Sequence, residues 1–100
     1  MVSYDLISIT KSNKAGKKMM AKFKNKKTGR EITTHFGAAG YKDWTIGATE
    51  QQRKNYRERH KKDLTTKDPT KAGYLSYYIL WGDSKSKREN IASFKRKFRL

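Results

Sequence analysis

The sequence has no cysteine, one proline and no long apolar run. Without cysteine there can be no disulfide, no thiolate zinc site and no cysteine nucleophile. Nothing approaches the roughly 18 consecutive apolar residues of a membrane span, so no transmembrane segment is expected. The opening MVSYDLISIT lacks a charged stretch followed by an apolar one, so a secretory signal is not expected either. Acidic residues are also scarce. Nine Asp and Glu face 25 Lys and Arg, leaving a net charge of +16 over 100 residues. Such an excess repels itself in a compact state, and a partner that neutralises it is the natural inference. Apolar residues reach only 34%, against roughly 45–50% in average domains, a figure that also counts glycine. Aromatics nevertheless make up 12% and fall in periodic segments, which disordered charged chains generally lack. A single folded domain over residues 1–100 is expected.

The periodicities divide it into strands over 1–36 and helices over 48–100. Val2, Tyr4 and Leu6, then Ile7 and Ile9, suit a first strand with one irregular step. Met19, Ala21 and Phe23 alternate with Lys18, Met20, Lys22 and Lys24, a period of two with a basic outer face. Asn25 to Gly29 supply turn residues, and Ile32, Thr34 and Phe36 alternate after them, which makes a hairpin. The run Gly37 to Gly40 breaks the pattern. Tyr41 to Ile46 then read as a loop with buried anchors. Thr49 and Gln52 have capping-box spacing for a first helix to about Lys62, in which Tyr56 is the only large nonpolar residue.

Asp68-Pro69 reads as the start of a second helix, with Asp68 as N-cap. Ala72, Leu75 and Ile79 share a stripe along it, and Gly82 suits a left-handed position after its end. Ser86 and Glu89 repeat the capping-box spacing before Ile91, Phe94 and Phe98. The resulting fold class is α+β: an N-terminal β-hairpin or three-stranded antiparallel sheet followed by about three helices. Leu75, Ile79, Ile91, Phe94 and Phe98 are expected to pack against Met19, Ala21, Phe23 and Ile32.

Catalytic constellations are missing. The two histidines, His35 and His60, stand in different elements. The carboxylates are scattered, each with a simple role as a turn, cap or helix-pairing residue. No nucleophile elbow, P-loop or dinucleotide fingerprint occurs. A non-enzymatic protein without cofactor or metal is expected. Basic residues carry the positive reading. In the first helix, Arg53, Arg57 and Lys61 form a row with about 6 Å between successive positions, close to the spacing of phosphates along a strand, with Lys54 beside it. The third helix adds Arg88, Lys95 and Arg96, and the hairpin loop Lys24, Lys26 and Lys27. A solvated face explains an ordinary charge run, but a surplus of +16 exceeds what solubility needs. Tyr41, Trp44, Tyr74 and Tyr77 are candidate base-stacking residues, though aromatics more often bury.

From His35 onward the chain resembles a family of small basic proteins encoded by large nucleocytoplasmic DNA viruses of the phycodnavirus and mimivirus kind. The segments that carry the likeness are HFGAAGYKDWTI at 35–46, RKNYRERH at 53–60, DPTKAGYLSYYILWG at 68–82 and SFKRKF at 93–98. The earlier strands lie outside it and read as an addition. The resemblance implies a viral source, with the virion or infected-cell cytoplasm as location, and assigns no site residue. Two partner readings follow: nucleic acid or another polyanion held through phosphates, or acidic viral capsid proteins or an inner membrane met by the basic surface of a minor capsid or cement component.

Overall fold

A computed structural model describes residues 4–100; Val2, expected in the first strand, lies outside the described residues. Strands β1 (Tyr4–Lys11), β2 (Lys17–Asn25) and β3 (Glu31–Ala38) form one antiparallel sheet in the order β1-β2-β3. Helices α1 (Glu50–His60), α2 (Ala72–Leu75) and α3 (Lys87–Phe98) follow, with 3-10 turns at Trp44–Ile46 and Lys61–Thr66. The arrangement is α+β, a three-stranded antiparallel sheet and then three helices.

The irregular step in β1 is a bulge. Leu6 pairs with Phe23 and Ser8 with Lys22, so Ile7 is left over between them. One extra residue inverts the alternation, which places Leu6 and Ile9 on the same face although they are three apart. That face continues across the sheet as Leu6, Phe23 and Ile32, then Ile9, Ala21 and Thr34. Ile7 is turned out and stays 49% exposed. At the tip between β2 and β3, the Asn25 carboxamide accepts from Lys27 N and Thr28 N, and Gly29 takes the left-handed conformation that closes the loop.

Strand β3 runs two residues past the expected break, through Gly37 and Ala38. Gly37 has φ 82°, and a Cβ there would come within 2.6 Å of Leu80 Cδ1. Glycine is needed at this point so that the strand can meet the helical layer.

That layer covers one face of the sheet. Phe23, Phe36, Leu75, Ile79, Leu80 and Phe94 are fully buried between the two. Met19, Ile32, Ile91 and Phe98 pack at its margin, so the expected core set comes together. Helix α3 docks through aromatic edges. Phe98 meets Tyr74 at 5.5 Å and Tyr78 at 5.3 Å, both T-shaped.

Asp68-Pro69 does not open the second helix. The Asp68 carboxylate accepts from Thr70 N and Thr70 Oγ1, and the Thr70 carbonyl accepts from Thr34 Oγ1 at 2.7 Å. Tied to β3 in this way, the turn delays the helix to Ala72. After one turn it widens into a π-helical turn at Ser76–Leu80, closed by Trp81 N donating to the Ser76 carbonyl at 3.0 Å. Gly82 is not left-handed; it is a glycine because a Cβ would strike the Tyr78 carbonyl oxygen and crowd Asn90. Asn90, itself buried, stitches the exit of this segment to α3: its amide donates to the carbonyls of Ile79 at 2.8 Å and Ser84 at 2.7 Å. Only half of the second capping box forms. Ser86 accepts from Glu89 N, while the Glu89 carboxylate accepts from Ser84 Oγ instead.

Phe94 is 1% exposed at the junction of α3 and the π-helical turn. Phe94→Ala should therefore cost about 3–5 kcal/mol. Chemical denaturation will show this as a fall in midpoint at unchanged slope; a variant as stable as the parent would contradict the packing.

Candidate functional site

Helix α1 contains no buried residue. It forms because Thr49 and Gln52 make the full capping box, Thr49 Oγ1 accepting from Gln52 N and Gln52 Oε1 from Thr49 N. It ends at His60, and the 3-10 turn carries the chain on from there. What attaches it to the rest is polar and aromatic. Arg57 Nη1 donates to the Trp81 carbonyl at 2.7 Å and to the Tyr77 carbonyl at 3.4 Å, and its guanidinium lies 4.1 Å from the Tyr77 ring centroid. Arg53 Nε donates to the Gly82 carbonyl at 2.9 Å, and Nη2 reaches Asp83 at 3.1 Å. These carbonyls close the α2 and π-helical segment, where a helix leaves acceptors unpaired and carries partial negative charge. Between the arginines, Tyr56 stacks on Trp81 at 4.4 Å and 9°, with His60 at 4.2 Å on Tyr56. Burial pushes the Tyr56 phenol above the usual tyrosine range, partly offset by a side-chain hydrogen bond with Ser76.

The other wall is the loop after β3. Its fully buried anchor is Asp43, 1% exposed; Trp44 is half-buried, while Tyr41 is 72% exposed and Ile46 49%. Asp43 Oδ2 meets Lys18 Nζ at 2.7 Å, and Oδ1 accepts from Thr45 N at 2.8 Å, capping the 3-10 turn. A buried carboxylate needs such complete pairing. Trp44 is held between cations, with Arg53 5.5 Å and Lys85 4.8 Å from its ring centroid.

Between this loop, α1 and the π-helical turn lies a cleft of about 1070 Å³. Tyr41 and Lys42 stand on the loop side, Asn55, Tyr56 and Arg59 on the helix side, and Gly73, Ser76 and Trp81 line it from the helical layer. Among the described residues, no group of three His, Asp or Glu is placed to hold a metal, and no helix is long and apolar enough to cross a membrane.

The structure separates the residues that the charge pattern grouped. Arg53 and Arg57 are turned inward onto carbonyls, so they do not form an open row with Lys61, whose Nζ lies 2.9 Å from Glu58. Lys54 remains exposed on α1. Arg88, Lys95 and Arg96 stand exposed on α3, on the side away from Phe94. Lys24, Lys26 and Lys27 are exposed at the hairpin; there Lys26 reaches Asp5 at 3.5 Å, and Lys24 faces Asp5 and Glu31 across the sheet. Of the four candidate stacking residues, Tyr74 and Tyr77 are buried, Trp44 is sandwiched, and Tyr41 alone projects. Sequence reasoning missed the arginine clamp and Asn90. For Arg57 the one available sign was its place one helical turn from both Arg53 and Lys61, which reads equally as an open row.

Fold and cleft together define a small, basic α+β domain with an aromatic, cation-rimmed concavity. The chain belongs to a family of unknown function, DUF5754, which it matches over residues 7–60. The match begins inside β1 and runs to the end of α1; α2 and α3 lie beyond it. No curated protein and no solved structure matches the chain.

Replacing Arg57 by Met removes the Nη1 that donates to both the Trp81 and the Tyr77 carbonyl. Arg57→Met should lower stability by about 1–3 kcal/mol, the cost of leaving part-buried acceptors unpaired, whereas Lys54→Ala should change it by less than about 0.5 kcal/mol. Paired denaturation curves decide this; equal stability of both variants would remove Arg57 from the clamp.

Proposed function

We propose that this protein is a non-enzymatic binder of nucleic acid that works through the phosphate backbone. The observation that carries the reading is where the unpaired charge lies. Among the described residues, only Lys18, Lys26, Arg53 and Lys61 of the lysines and arginines come within 4.0 Å of a carboxylate. The exposed side of α3 presents Arg88, Lys95 and Arg96 with no acidic partner, and Lys27 at the hairpin tip and Lys54 on α1 are likewise open. Guanidinium and ammonium groups placed this way meet phosphate oxygens without first breaking an internal pair. Nothing in the surface pattern supplies base-edge readers in a helix shaped for a groove, so binding is expected to be indifferent to sequence. With the resemblance to virus-encoded proteins, the polyanion would be the genome of a large DNA virus, in the particle or in the infected cell.

The protein should retain duplex DNA at about 50 mM salt and lose it steadily as salt rises. About five to eight neutralised phosphates give a slope of log affinity against log salt near −4.5 to −7, at about −0.9 each. Changing Arg88, Lys95 and Arg96 together to Glu should reduce that slope by about 3, one for each phosphate no longer neutralised, with little loss of stability because all three are exposed. Retention that ignores salt, or none at all at about 50 mM, would contradict the proposal.

A further inference from the structure

No residue of α3 lines the cleft, and its chemistry is different. Clefts that hold small ligands run to about 300–1,000 Å³ with a few polar groups converging on apolar walls; this one is about 1070 Å³ and open at its mouth. Its walls are brought close by glycines. A Cβ on Gly73 would approach Asp63 Cβ to 2.9 Å, and one on Gly37 would meet Leu80. One side is the π-helical turn, which supplies Ser76 and Leu80 to the lining. Such turns interrupt regular helices at a cost and recur at functional sites.

The charges around it are uneven. Lys17, Lys42 and Arg59 line it and, among the described residues, have no carboxylate within 4.0 Å. The two carboxylates in the lining, Glu58 and Asp63, already face Lys61 and His60. Tyr41 stands at the rim beside Lys42, 72% exposed, and follows Gly40 in the left-handed conformation. An exposed ring flanked by free cations fits a ligand that is planar and anionic at once.

We propose that the cleft receives one unpaired nucleotide of a single-stranded segment, its base stacked on Tyr41 and its phosphate held by Lys42 and Arg59. The inference rests on the nucleic-acid reading and adds the form of the strand, since a base inside a duplex cannot leave its stack without unpairing.

The test is fluorescence anisotropy with a labelled 12-nucleotide single strand and with the same strand annealed to its complement, both at about 50 mM salt where backbone binding holds. The parent protein should bind the single strand more tightly than the duplex. Tyr41→Ala should weaken the single strand about tenfold, the scale of removing one base–aromatic stack, and leave the duplex unchanged, with Tyr41→Phe restoring the difference. The triple Glu variant of α3 should weaken both forms together. If Tyr41→Ala and Arg59→Ala leave single-strand affinity within about twofold, or weaken duplex and single strand alike, the cleft inference fails while backbone binding stands. If the parent binds neither form, both readings fail.

Discussion

The structure depends on Arg57. Helix α1 brings no buried residue to the domain, so the hydrophobic effect that joins sheet, α2 and α3 does little to hold it. Its place is set by a guanidinium that satisfies the Trp81 and Tyr77 carbonyls while lying over the Tyr77 ring. Arg53 does the same for Gly82 one helical turn earlier. The π-helical turn and the arginines require each other. A widened helix end exposes acceptors, and two cations supply donors and offset the negative end of the helix. Once α1 is fixed there, Tyr56 lies flat on Trp81, and a wall of the cleft follows.

The opposite wall has a similar origin in a single buried charge. Asp43 is removed from water, and Lys18 with Thr45 offsets that desolvation. The loop that carries Tyr41 and Lys42 is thereby tied to β2, at the end of the sheet where Gly37 admits Leu80. Cations in this protein thus divide by role. Those that meet carbonyls or buried carboxylates build the fold, and those on α3, the hairpin tip and the cleft rim stay open to an external anion. The net charge of +16 counts both kinds of cation alike and does not distinguish them.

Local periodicity makes much of the fold legible. Alternation in β2 and β3, and the Thr49–Gln52 spacing, correspond to real strands and a real capping box. Even the irregular step in β1 is visible, because Leu6 and Ile9 cannot share a face without a bulge. Errors arise where a residue's local preference meets a long-range partner. Asp68-Pro69 has the chemistry of a helix start, but Thr34 holds the Thr70 carbonyl and keeps the turn on the sheet. Gly82 has the chemistry of a helix stop, but it is required by the approach of Tyr78 and Asn90. The aromatic residues of the 41–46 loop resemble anchors, yet the fully buried anchor is an aspartate whose lysine lies 25 positions away in the chain. The candidate site is legible only in part for the same reason. Charge spacing identifies a row on a helix, and only the fold decides which side of that row faces carbonyls.

The division between structural arginines and open cations is tested most directly by following the arginine Nε–H resonances in a two-dimensional nitrogen–proton spectrum while DNA is added. Arg88 and Arg96 should shift progressively, whereas Arg53 and Arg57 should keep their positions, because Arg53 Nε stays on the Gly82 carbonyl and Arg57 Nη1 keeps its guanidinium on the Trp81 carbonyl. Arg53 and Arg57 moving first, with Arg88 and Arg96 unmoved, would contradict that division.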